Sequence, residues 1–157
     1  LAAMQREGAE LFPLETGGIL LGWRRGVDRI VVDVVGPGRN ALHGRIRFLP
    51  DHRWQVSEIT RTFHATGGDI DYLGDWHTHP EGFAQMSNED IKTLTRISRR
   101  VPGALMLILA GPDFAAGDFG CWKAGAREGF LGRRITIEPQ QVKLFDPPKE
   151  WPRAAAG

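Results

Sequence analysis

The chain has 157 residues, of which 41% are hydrophobic and 25% charged, and its formal net charge is +1. This length suits one domain with a substantial core. The near-neutral charge gives no indication of nucleic acid or an acidic membrane as a partner. The single cysteine, Cys121, excludes an internal disulfide and a cysteine-based zinc site, and with no run long enough for a membrane span we expect a cytoplasmic protein.

Hydrophobic periodicity and turn residues divide the chain into helices and strands. In chain order we predict a helix at 1–12, strands at 18–24 and 29–35, a helix at 51–66, a strand at 70–79, a helix at 87–99, and strands at 104–110, 119–124 and 134–138. The segment 39–49 fits no single pattern. Strands and helices mix without a regular repeat, which predicts an α/β (mixed α+β) domain with a mixed sheet and helices packed on it. We predict this domain at 1–138 and an extended C-terminal segment at 139–157.

Two histidines stand at the end of the predicted strand at 70–79, and an aspartate follows in the next helix. His77 and His79 are separated by one residue, so both imidazoles face the same side of the strand. Asp90 falls in the first turn of the helix that begins after Ser87. Two imidazoles and a carboxylate are the ligands of a catalytic zinc that keeps a fourth position for water. The spacing therefore predicts a zinc site.

Structural roles compete for the same residues. An isolated His-x-His pair is also compatible with two half-buried strand histidines. Ser87 and Asp90 also match a capping box, in which each residue satisfies the backbone N–H of the other. Asp75 shares the strand face of His77 and is either an acceptor behind that ligand or a ligand itself.

A hydrolytic zinc site needs a general base that is not a ligand. Glu15 is a candidate because it precedes a glycine-rich turn and an apolar strand, where a charged side chain is not expected in the core. Glu81 is a rival on the loop after the histidines, whereas Glu89 should point away from the site. Three further residues have no matched partner pattern and are predicted to be ordinary surface or core histidines: His43, His52 and His64. Cys121 is predicted to be a buried small hydrophobe.

At Glu15, His77, His79, Ser87 and Asp90 the chain resembles the JAMM (MPN-plus) metalloproteases, with every spacing of that family's pattern met. The resemblance covers about 10–125. It implies the JAB/MPN fold, a mixed sheet sandwiched by helices and similar to cytidine deaminases. It also implies one zinc per chain, held by the two histidines and Asp90.

The resemblance further implies an isopeptidase that cleaves after the C-terminal glycine of a ubiquitin-like protein. Glu15 would then be the general base, and Ser87 would stabilise the oxyanion. The sequence around the histidines resembles the bacterial branch of ubiquitin-like deconjugating peptidases. Some members of that branch are encoded beside E1- and E2-like proteins, including in antiviral defence operons. The alternative is a non-catalytic MPN scaffold that binds a protein partner. A deaminase-like hydrolase of small amides or nucleobases is discounted because it would need a Pro-Cys-x-x-Cys motif, and Cys121 is alone.

Overall fold

The computed structural model describes residues 1–129 and 132–152, without the side chains of 127–133. It contains three long helices, α1 to α3, and eight strands, β1 to β8. In chain order these are α1 (Ala2–Leu11), β1 (Gly17–Arg25), β2 (Asp28–Val35), β3 (Leu42–His43), β4 (Phe48–Leu49), α2 (His52–Ala65), β5 (Asp71–His79), α3 (Asn88–Ser98), β6 (Leu105–Ala110), β7 (Phe119–Gly129) and β8 (Gly132–Pro139).

Six strands form one mixed sheet in the order β2-β1-β5-β6-β7-β8. All neighbours are antiparallel except β5 and β6, which run parallel on either side of α3 in the chain. Every residue of β6 is buried, as expected for a central strand with both faces covered. The predicted mixed sheet is confirmed, and it places the histidine strand β5 in the middle of the domain.

The helices cover both faces of this sheet. On one face, Met4 of α1 joins a core cluster with Leu107 and other alternate residues of the central strands. On the opposite face, Leu94 of α3 packs with Met106 and Ile108 of β6, and Ile59 of α2 packs against a third cluster. The two faces use alternate residues of the same strands, as strand geometry requires. His77 and His79 belong to the face covered by α2 and α3.

A β-bulge in β5 changes which residues share a face with the histidines. Two consecutive β1 residues pair with Gly74 and Tyr72, so Leu73 is an extra residue. Gly74 has φ +152°, and a Cβ there would overlap the carbonyl oxygen of Leu105, which explains the glycine. The bulge sends Leu73 into the α1 core and brings Tyr72 onto the side of Asp75.

Differences from the predicted elements concern the ends of strands and the ambiguous segment. β7 continues to Gly129, well beyond the predicted 119–124, and β8 is slightly longer than the predicted 134–138. The two strands pair with each other in an eight-pair antiparallel ladder, and such backbone pairing does not require an apolar pattern in the sequence. The ambiguous segment contains a small hairpin of β3 and β4, in which Leu42 pairs with Leu49 and His43 with Phe48. Within the described ranges, no helix is long and apolar enough to cross a membrane.

The segment after β8 returns to the sheet. The Trp151 ring makes edge contacts with Trp23 of β1 and with Phe145, with centroid distances of 4.9 and 5.3 Å. Part of the predicted extension at 139–157 is therefore packed, while 153–157 lie outside the described residues. The division of the chain at residue 138 stays a prediction.

Candidate active site

Three side chains converge where β5 ends and α3 begins. The Nε2 atoms of His77 and His79 are 3.0 Å apart. Asp90 places Oδ1 at 3.2 Å from Nε2 of His77 and Oδ2 at 3.5 Å from Nε2 of His79. Tetrahedral zinc with bonds of about 2.0–2.1 Å separates its ligand atoms by roughly 3.3 Å. The three donors therefore fit a metal ion. Among the described residues, they form the one group of His, Cys, Asp or Glu side chains close enough together to hold one.

The backbone around His79 sets which nitrogen faces the cluster. Its Nδ1 lies 3.0 Å from the carbonyl oxygen of Phe83. Because a carbonyl only accepts, Nδ1 carries the proton and donates it, which leaves the Nε2 lone pair directed at the other donors. This is the orientation that a metal-ligating histidine requires.

Asp90 serves the helix and the cluster at the same time. The Ser87 backbone N–H donates to Oδ2 of Asp90 at 2.7 Å, and the Asp90 N–H donates to Oγ of Ser87 at 3.2 Å. The predicted capping box is thus confirmed. The two roles do not exclude one another, because the capping bond uses Oδ2 and leaves Oδ1 towards His77. The Ser87 hydroxyl accepts in the cap, so its own proton remains free to donate.

Charges of the protein groups reinforce this arrangement. Burial alone would raise the pKa of Asp90, but its interactions with the His77 and His79 rings hold that pKa well below its usual range. Burial works against a charged His79, yet the bonds to Asp90 and to the Phe83 carbonyl raise its pKa. The cluster therefore keeps one carboxylate ionised beside two imidazoles, which is the charge balance that a dication favours.

Glu15 lies beside this cluster through the pairing of β1 with β5. Gly17 pairs with His77, and the Thr78 N–H donates to the Thr16 carbonyl at 2.8 Å, which continues the antiparallel register towards Glu15 and His79. Burial raises the pKa of Glu15, and the neighbouring His79 and His77 partly oppose this shift. A raised carboxyl pKa suits a group that exchanges protons near neutral pH.

The rival acids are engaged elsewhere. Glu81 forms an ion pair of 2.7 Å with Arg45, and both side chains are more than half exposed, at 56% and 60%. Glu89 points to solvent beside Lys92, as predicted. Asp75 accepts a 2.7 Å hydrogen bond from the Tyr72 hydroxyl and is outside the converging group of donors. The structure therefore gives no support to Asp75 as a ligand.

One histidine has a partner that the sequence did not reveal. His43 was predicted to be an ordinary surface or core histidine, but its Nδ1 lies 3.0 Å from the Glu15 carbonyl oxygen. The contact spans 28 residues and follows no local pattern, so only the fold could show it. Cys121 is buried, which raises the pKa of its thiol to about 11 and confirms that it is a small core residue.

Comparison with known proteins identifies the family. Residues 1–124 match the model of the prokaryotic homologues of the JAB domain. The chain is 34% identical over 115 residues to a probable metalloprotease of Sinorhizobium fredii, covering 69% of this chain and 70% of that protein. It is also 32% and 33% identical to proteins named CD-NTase/cGAS isopeptidase in Escherichia coli and Vibrio cholerae, covering 66% of each chain. The chain thus spans about two thirds of the length of the curated relatives it matches.

Solved structures agree on the fold. A protein from Desulfitobacterium hafniense superposes with a TM-score of 0.66 at 22% identity, covering 94% of this chain and 90% of that one. A protein from Salinibacter ruber gives a TM-score of 0.56 at 21% identity, covering 98% and 92%. The relatives' names confirm the predicted enzyme class, a JAMM-type metallopeptidase. The chain belongs to the prokaryotic JAB-domain family.

Proposed function

We propose that this chain is a zinc-dependent isopeptidase that hydrolyses the amide bond after the C-terminal glycine of a ubiquitin-like protein. The observation that carries the proposal is the convergence of His77, His79 and Asp90 at 3.0 to 3.5 Å, with Glu15 alongside. The metalloprotease and isopeptidase names of its relatives support the same reaction. Zinc is the proposed metal because two imidazoles, one carboxylate and an open position are typical of catalytic zinc.

The proposed chemistry divides between the metal and the chain's own residues. A bound zinc would polarise the scissile carbonyl and lower the pKa of water. Glu15 accepts the proton of the attacking water and then delivers it to the leaving lysine nitrogen. The Ser87 hydroxyl, whose proton is not used by the helix cap, donates to the oxygen that becomes negative in the transition state.

The rim of the site supports a protein substrate. Ile46, in the loop between β3 and β4, is 90% exposed, and Phe83, in the loop after β5, is 82% exposed. The Arg45–Glu81 ion pair joins the same two loops. Because the ion pair brings these two loops together, their exposed apolar side chains are available to contact a protein that enters the site. We propose that these loops contact the ubiquitin-like tail.

The test measures metal content and isopeptide cleavage of the wild-type chain and of Glu15→Gln. The substrates are ubiquitin and a panel of bacterial ubiquitin-like proteins, each joined through its terminal glycine to the ε-amine of a fluorescent lysine. We expect about one zinc per chain in both proteins. Cleavage should fall at least about 100-fold in Glu15→Gln, because general base catalysis typically contributes that much.

Two outcomes would contradict the proposal in different ways. Loss of zinc from Glu15→Gln would place Glu15 among the ligands. Zinc-loaded wild-type protein that binds a member of the panel without cleaving it would support the alternative, a non-catalytic MPN scaffold.

A further inference from the structure

The β3–β4 hairpin holds the backbone of Glu15 from both sides. The Glu15 N–H donates to the carbonyl oxygen of Gly44 at 2.7 Å. The Glu15 carbonyl oxygen lies 3.0 Å from Nδ1 of His43, the preceding residue of the hairpin. The next residue, Arg45, forms the ion pair with Glu81 beside the histidine strand. Three consecutive hairpin residues therefore contact the segment that carries Glu15 and the loop that follows β5.

The bond between His43 and Glu15 has a defined direction. A backbone carbonyl can only accept, so Nδ1 of His43 carries the proton. The imidazole also stacks on Phe48 of β4, with ring centroids 5.5 Å apart and planes inclined by 29°. His43 is half-buried. Stacking and the short β3–β4 ladder fix the ring, so its N–H points at one place on the chain.

The neighbour of Glu15 is fixed to a different element. The Thr16 N–H donates to the Thr78 hydroxyl at 3.0 Å, and the Thr78 N–H donates to the Thr16 carbonyl at 2.8 Å. β5 thus holds the N–H of the peptide that joins Glu15 to Thr16, while His43 of the hairpin holds the carbonyl of the same peptide. The orientation of the Glu15 side chain relative to the histidines depends on both anchors, and the hairpin anchor consists of two hydrogen bonds only.

We propose that His43 is a positioning residue that fixes the Glu15 peptide, and with it the Glu15 carboxylate, against the metal centre. The inference rests on the proposed role of Glu15 as general base. His43 touches no reacting atom and acts through the Glu15 backbone. Losing the His43 N–H removes one of the two bonds that hold the peptide between Glu15 and Thr16. That peptide can then tilt about its remaining bond to Thr78, which misplaces the Glu15 carboxylate relative to the attacking water. Because Glu15 acts on the attacking water and does not bind the substrate, losing the His43 hydrogen bond should lower kcat and leave KM largely unchanged.

Two substitutions separate the hydrogen bond from the ring. His43→Leu removes the donor and keeps an apolar contact with Phe48. His43→Asn removes the ring but keeps a donor, because the Asn amide nitrogen is as many bonds from Cα as Nδ1 is. His64→Leu is the matched control, since His64 is an exposed histidine of α2. All are assayed as the 157-residue, zinc-loaded chain on whichever conjugate of the panel the wild type cleaves.

We expect His43→Leu to lose about tenfold in kcat, the size of one hydrogen bond, and His43→Asn to stay within about twofold of wild type. Zinc content should not change in either variant. Amide hydrogen exchange gives a second readout. The Glu15 N–H donates to Gly44 of the same hairpin, so when the His43 bond is lost and the hairpin separates more often, this amide should exchange about tenfold faster. The exchange rate of the Thr78 amide, which belongs to the other anchor, should not change.

Full kcat and an unchanged Glu15 amide in His43→Leu would overturn the inference, as would a folded His43→Asn protein that loses as much kcat as His43→Leu. If His43→Leu does not fold, His43→Asn decides: slow turnover in that folded variant overturns the inference, and retained turnover with a protected Glu15 amide supports it. A failure of the proposed function looks different, because then Glu15→Gln itself retains activity or the wild type cleaves nothing.

Discussion

The ligand cluster and the proposed base are held by two regions that differ in rigidity. His77 and His79 lie on one of the two central strands of a six-stranded sheet, and Asp90 lies in the first turn of a capped helix. Glu15 depends on a hairpin whose strands have two residues each, and whose loop carries a 90% exposed isoleucine.

This difference separates two requirements of such a site. The separations among three metal ligands must be correct within a few tenths of an ångström, and buried, regular elements supply that rigidity. The hairpin is supported by few buried contacts, so it belongs to the part of the protein that opens at low free-energy cost. We expect variants in the strand–helix region to abolish metal binding, and variants in the hairpin to reduce turnover while metal stays bound.

The largest effect is expected at Asp90, which both caps α3 and completes the cluster. Asp90→Asn keeps an oxygen that can accept the Ser87 N–H but loses the ionised carboxylate, whereas Asp90→Ala loses both. We expect both variants to lose their zinc and at least about 100-fold in activity. In metal-free protein, urea titration should show Asp90→Ala about 1 kcal/mol less stable than Asp90→Asn, the typical value of a cap.

Glu89→Ala is the control for this comparison, because Glu89 is an exposed acid of the same helix turn. It should keep its zinc, and its free energy of unfolding should change by no more than about 0.5 kcal/mol. A stoichiometric zinc in Asp90→Asn would remove Asp90 from the ligand set.

An intermediate effect is expected at Gly17, where the two regions meet. A Cβ at Gly17 would overlap the Trp76 carbonyl oxygen and lie 2.8 Å from Cβ of His77. Gly17→Ala must push β1 away from β5, so the free energy of unfolding should fall by about 1–3 kcal/mol and turnover should fall with it. Gly36→Ala is the control, since its Cβ would meet only the Glu7 side chain, at 3.6 Å. A free energy of unfolding equal to that of the wild type in Gly17→Ala would contradict this expectation, because it would show that β1 and β5 can separate at little cost.

The smallest effect is expected at the Arg45–Glu81 ion pair, which joins the hairpin to the loop after β5. Both side chains are largely exposed and solvent screens their attraction, so a double-mutant cycle with Arg45→Ala and Glu81→Ala should give a coupling free energy below about 1 kcal/mol. Zinc content should not change. A larger coupling would show that the hairpin is held more firmly than its exposed contacts indicate, and would weaken the contrast between the two regions.

The parts of the site that were predictable from the sequence depend on local geometry. The two-residue period of a strand put His77 and His79 on one face, and the Ser-x-x-Asp pattern put Asp90 in the first turn of α3. Both follow from backbone repeats that operate within a few residues. The extent of β7 and β8 was missed because their far ends carry glycines and charged residues, and are stabilised by pairing that leaves no hydrophobic period.

Contacts between distant segments were decided by the fold alone. The bulge at Leu73 brings Tyr72 to Asp75, and no period predicts an extra residue in a strand. The bond of His43 to Glu15 joins residues 28 positions apart through a hairpin with no strong sequence signal. The sequence by itself determined the chemistry of the donors and the elements that carry them, because these depend on residue type and local spacing. The tertiary structure decided how the Glu15 backbone is held beside those donors, because that depends on which distant backbone groups the packed sheet brings within hydrogen-bond reach.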